Sequence, residues 1–90
     1  MSTGLNGADP ADLRQFAVEL EHANTVLLSV KNELSAQINS KLCWEGPDAF
    51  VFRHAWQSSY APVIGKTAAL LESTARMVKA QAAGQESASS

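Results

Sequence analysis

The 90-residue chain has one cysteine, Cys43, so no intramolecular disulfide framework can hold it. It has no excess of base: 7 Lys+Arg stand against 9 Asp+Glu, for a net charge of −2. Without a basic stripe there is no phosphate-binding term for nucleic acid, and no basic amphipathic face for a membrane surface. No apolar run exceeds four residues (Ala49 to Phe52, Ala68 to Leu71), so no segment can cross a bilayer. Residues Met1 to Gly7 contain neither a basic stretch nor an apolar core, and no cleavable signal peptide is expected. Glycine and proline are scarce, five and three, and alanine is abundant. That balance favours helix.

Residues 1–8 read as a flexible N-terminal arm, 9–84 as a helical hairpin and 85–90 as a disordered tail. Asp9-Pro10-Ala11-Asp12 is a helix start. Asp9 can accept an orphan N–H, and Pro10 suits the first helical position. Asp12 places negative charge where the helix dipole favours it. From there no Gly or Pro interrupts until about Leu42, which predicts a helix over about 10–42. Two heptad rows run along it, Leu13-Leu20-Leu27-Leu34 and Phe16-Ala23-Val30-Gln37, and seven of the eight residues are apolar. The bend is expected at 43–47, where Gly46 relaxes the backbone and Pro47 opens a second helix over about 48–83. In that helix apolar pairs recur every seven residues: Val63-Ile64, Leu70-Leu71 and Met77-Val78. Trp56 and Tyr60 extend the stripe, and Gly84 is the expected stop. Pro62 lacks the N–H that would bond the Ser58 carbonyl, so a kink is expected there.

A turn centred between Glu45 and Gly46 makes facing residues sum to about 91. Leu13 then faces Val78, Leu20 faces Leu71, Leu27 faces Ile64, and Asp12 meets Lys79. These six apolar residues are the expected seam of an all-α, antiparallel two-helix hairpin with arms roughly 50 Å long. The flank residues Val26, Val63, Leu70 and Met77 cannot all fit on that seam, and two helices alone bury too little. The expectation is a second hairpin packed on the first, completing a four-helix bundle.

Trp44-Glu45-Gly46 sits in the bend. An indole there can plug the gap where two helices diverge, beside a glycine that lets the backbone turn. With the following Pro47-Asp48-Ala49-Phe50, Arg53 and Trp56, and with the length and hairpin layout of the whole chain, the sequence resembles the WXG-motif (ESAT-6-like, Esx) family of type VII secretion substrates. The resemblance implies a non-enzymatic hairpin that dimerises, with itself or with a related WxG protein, into an antiparallel four-helix bundle. It implies secretion as a folded dimer without a cleaved signal peptide, through a secretion ATPase of the FtsK/SpoIIIE type. It also implies that Trp44 and Gly46 supply half of a bipartite export motif. The other half, Tyr-x-x-x-Asp/Glu, has no match here: Tyr60 is followed by Ile64, and no tyrosine comes later. Three alternatives follow: a partner chain supplies that half, the chain uses a degenerate one, or it acts inside the cell as a helical adaptor. A membrane-perturbing role is a further alternative.

Other chemistry-bearing residues are sparse. Trp56, Phe52 and Tyr60 are expected in the core or an interface. His22 and His54 are isolated, and Cys43 with His54 falls short of the four ligands a zinc site needs. No cofactor, metal site or catalytic group is expected. Cys43 reads as a small packed residue, or as an interchain disulfide if the protein is exported.

Overall fold

The computed structural model describes residues 8–89. The expected arm lies, but for Ala8, outside these residues, as does Ser90. The molecule is an all-α hairpin with no strand among the described residues. The ascending arm is helix α1 (Pro10–Ala36), extended by a π-helical turn over Gln37–Lys41. The descending arm is α2 (Pro47–Ala55), a second π-helical turn over Trp56–Tyr60, and α3 (Ala61–Ser89). α1 packs lengthwise on α3.

Local chemistry explains the ends. Asp9 caps α1 as expected: its Oδ1 accepts the Ala11 N–H at 2.8 Å, with Pro10 at the first helical position. Gly46 precedes α2 at φ 109° and ψ 176°, a region open to glycine alone. A Cβ there would meet no atom within 4 Å, so the requirement is conformational and not one of space.

Pro62 does not break the rod. Its missing donor is absorbed just upstream, where the Ala61 N–H reaches back five residues to the Trp56 carbonyl. The Ser58 hydroxyl donates to the His54 carbonyl at 2.7 Å in the same turn, as Ser40 does to Ala36 at 2.9 Å in the other. The descending segments, of 9, 5 and 29 residues, would span about 64 Å end to end at 1.5 Å per residue. The longest dimension of the molecule is 63 Å, so the expected kink is instead a widened turn in a nearly straight rod. Gly84 does not stop the helix, and 85–89 continue α3 rather than forming a disordered tail.

The seam is made of small residues. Ala17 on α1 and Ala68, Ala75 and Ala82 on α3 are buried. The three on α3 recur every seven residues, so one narrow strip lets the backbones approach. The six leucine, isoleucine and valine residues expected in the seam (Leu13, Leu20, Leu27, Ile64, Leu71, Val78) are only half-buried and line its edge.

The register also differs. Lys79 pairs with Glu21 and not with Asp12, and both guanidinium nitrogens of Arg14 bond the two carboxylate oxygens of Glu86. Those partners sum to 100. Nearer the bend, Gln57 Nε2 donates to Asn39 Oδ1 at 3.0 Å, a pair that sums to 96. A symmetrical turn cannot produce such values; the descending arm must be the longer one.

Candidate functional site: an overhanging tip and an apolar face

The two arms are flush at the open end and unequal at the other. The ascending arm, of 27 and 5 helical residues, spans about 48 Å. The descending arm therefore projects about 16 Å further, a little more than the roughly 13.5 Å length of the nine-residue α2. Helix α2 accordingly stands beyond the end of α1, and the non-helical segment 42–46 climbs along its side before Gly46 turns the chain back.

Two contacts hold this strap to α2. Arg53 Nη1 donates to the Trp44 carbonyl at 3.0 Å, and the Trp44 indole lies 5.8 Å from the Phe52 ring in a tilted arrangement. Trp44 remains 41% exposed, so it does not plug the divergence of the arms as expected. The plug is Trp56, 6% exposed, whose Nε1 donates to Ser35 Oγ at 2.8 Å across the arms. On the same overhang the side chains of Leu42, Phe50, Val51 and Phe52 are also exposed, giving it an apolar surface. Tyr60, expected in the core or an interface, is exposed as well.

The length of the hairpin has two unlike faces. With 3.6 residues per turn, side chains can be placed by rotation from the buried alanines that mark the seam. On α1, Phe16, Leu20, Ala23, Leu27, Val30 and Leu34 all lie roughly 60–140° to one side of Ala17. On α3, Val63, Leu70 and Met77 lie roughly 120–160° from Ala75 in the same rotational sense. In antiparallel helices, equal senses of rotation lead to the same side of the pair. These two rows therefore form one broad apolar face, with Phe16, Val30, Leu34, Val63, Leu70 and Met77 exposed on it. The opposite face carries the Glu21–Lys79 and Arg14–Glu86 pairs and the Glu72–Arg76 pair at 3.5 Å. Of the expected flank residues, Val63, Leu70 and Met77 share the apolar face. Val26 is exposed but points nearly opposite the seam, at the outer edge of α1.

Cys43 is exposed on the strap, so it is not a packed core residue. No group of three or more His, Cys, Asp or Glu side chains among the described residues could hold a metal ion, and no pocket is present among them. The Arg14 hydrogen bonds hold the Glu86 carboxyl below the ordinary carboxylate range, and that carboxylate raises the guanidinium in turn.

Leu70, Met77 and Val63 were legible as an unburied flank. The alanine strip and the Ser35, Asn39 and Gln57 ties were missed, although Ala61, Ala68, Ala75 and Ala82 display a seven-residue period. No family model, no curated protein and no solved structure matches the chain.

Proposed function

We propose that the chain is a non-enzymatic assembly module of the WXG (ESAT-6-like) type. It pairs through its apolar face with another helical hairpin, making a four-helix bundle, and is exported as that folded dimer by a type VII secretion system. The observation that carries this reading is the one-sided apolar face: six large apolar side chains stay exposed along one side of a hairpin that spends alanines on its own seam. A second hairpin is the partner shape that covers two parallel ridges at once. The exposed Trp44 beside Gly46, on an overhang that projects clear of the paired arms, supports a role for the tip in recognition by an FtsK/SpoIIIE-type ATPase. None of the described helices is long and apolar enough to cross a membrane, and the reading requires no insertion and no nucleic acid.

The test is export from cells with and without a functional type VII machine. The protein is expected in the medium of the first alone. Trp44→Ala should keep helicity, with a fall of only several degrees in melting temperature, while abolishing export. Export at normal levels, or export that does not need the machine, refutes the recognition role. An intracellular helical adaptor is the second reading, favoured by the lack of a Tyr-x-x-x-acid match after Tyr60. Retention in the cytoplasm with a bound helical partner would establish it instead.

A further inference from the structure

We infer that the hairpin has a second seam one residue row away, and that a lone chain rolls onto it to draw in its own apolar face. This state goes beyond the assembly reading, because it concerns the chain before any partner meets it.

The seam that is present is poorly filled in its middle. Seven-residue steps from Ala17 reach Asn24, Lys31 and Ile38. With facing numbers near 99, these four stand opposite Ala82, Ala75, Ala68 and Ala61. Asn24 and Lys31 are half-buried there, and Lys31 Nζ lies 3.9 Å from where a Gly65 Cβ would be. An amide and a lysine stem thus occupy positions that apolar side chains would fill better.

Three residues further along each arm runs a wholly apolar row. From Ala17, Asn24 and Lys31 that step leads to Leu20, Leu27 and Leu34. From Ala75, Ala68 and Ala61 it leads to Val78, Leu71 and Ile64. These pairs sum to 98, so they already stand at matching heights to within about 1.5 Å. Three residues turn through 300°, so a roll of about 60° by each arm exchanges the rows without sliding. Both rolls have the same sense, toward the apolar face. They bring Phe16, Ala23 and Val30 to the edge of the seam and turn Asn24 and Lys31 toward the charged face.

What holds the present seam lies on its other edge. Glu21, Lys79 and Glu86 come four residues after Ala17, Ala75 and Ala82, about 40° past the contact line. The roll parts Glu21 from Lys79 and Arg14 from Glu86, so these surface pairs act as weak catches. The two π-helical turns stand opposite each other where the arms end, with Gln57 bonded to Asn39. Such widened turns can take up rotation of the arms against the tip. Two packings of one sequence make a bistable element, and a partner on the apolar face shifts its balance toward the alanine seam.

Disulfide trapping tests the roll, in a Cys43→Ser background and at a dilution that keeps closure within one chain. Ala23 and Thr74 each precede a seam position by one residue, about 100° from the contact line, and come within reach only after the roll. Glu21 and Lys79 are within reach only before it. Ala23→Cys with Thr74→Cys, and Glu21→Cys with Lys79→Cys, should both close under mild oxidation. Closure of one pair alone, or of neither, overturns the two-seam hairpin. Circular dichroism confirms that each variant folds. Arg14→Gln, which removes one catch, should speed closure of the Ala23→Cys, Thr74→Cys pair about threefold. An unchanged rate overturns the role of the ion pairs. The chain locked by that disulfide should bind roughly half or less of the apolar dye bound by the chain locked at positions 21 and 79. Equal binding overturns the covering of the face. None of these closures depends on export or on a partner, so this inference and the assembly reading fail separately.

Discussion

The open end of the hairpin and its tip are held by opposite strategies. At the open end, alanines let two helices approach closely, and ion pairs lock the edge: Glu21 with Lys79, Arg14 with Glu86. At the tip the arms part, and one large side chain, Trp56, fills the gap that alanines could not. Past that point a single helix stands with a strap along its side and its aromatics in water. Small residues give a long seam its register; a single tryptophan ends it. The difference teaches that the hairpin's stability and its exposed aromatic tip reside in separate regions, so either can be changed without the other.

The two tryptophans give the sharpest way to break that division. Trp56→Ala removes a buried ring together with its bond to Ser35, and should cost about 3–5 kcal/mol. For a chain this small that is most of its stability, and thermal melting by circular dichroism should show the hairpin largely unfolded. Trp44→Ala removes an exposed ring and its contact with Phe52, and should cost about 1 kcal/mol. Equal losses would mean that the strap is part of the core, and the comparison would fail.

Ala75→Leu tests the other region. A leucine in the alanine strip must force the backbones apart, at about 1–3 kcal/mol, although leucine is a good helix former and adds apolar surface. The same change at Ala69, exposed on α3, should leave the melting temperature almost unmoved. A stabilised Ala75→Leu variant would show that the seam is loosely packed and that the half-buried leucines, not the alanines, set the spacing.

These residues also show what was legible beforehand. The hairpin, the Asp9 cap, the break near Gly46 and the burial of Trp56 followed from periodicity and from residues with a single local role. The seam was misplaced because apolar periodicity weighs large side chains above small ones. The leucine rows marked the wide apolar side of each helix, while the alanines marked where the helices touch. The register was misjudged because a symmetrical turn was taken for granted. An extended strap covers length at more than twice the helical rise per residue, so five residues offset the arms by all of α2. Pro62 identified a disturbance in the helix, but whether it ends as a kink or a widened turn depends on packing across the arms.

Gly46→Ala probes the hinge of the overhang. At φ 109° and ψ 176° an alanine is strained by about 1–3 kcal/mol, with open space around its methyl group. Because the strap and α2 stand apart from the seam, that strain should be relieved locally. Amides from Phe50 to Ala55 should lose protection from hydrogen exchange, while those around Ala75 keep theirs. Loss of protection at both places would show that the tip and the seam unfold as one unit.

Acid should act on the open end alone, and gently. The Glu86 carboxyl is held below its ordinary range chiefly by the hydrogen bonds from Arg14. A lowered carboxylate stabilises the fold above its unfolded pKa and loses that contribution as pH falls through the lowered value. The clamp is thus intact at neutral pH and released below about pH 4, the ordinary glutamate range. The pair lies at the surface and is screened by solvent, so the expected effect is fraying of the last turns of α3 rather than unfolding. Protection factors over residues 83–89 should fall on acidification in the wild type. In Arg14→Gln they should be low already at neutral pH and change little on acidification. If the acid-sensitive amides lie instead around Trp56 or in α2, the ion pair is not what closes this end, and the alanine strip alone sets where the seam begins.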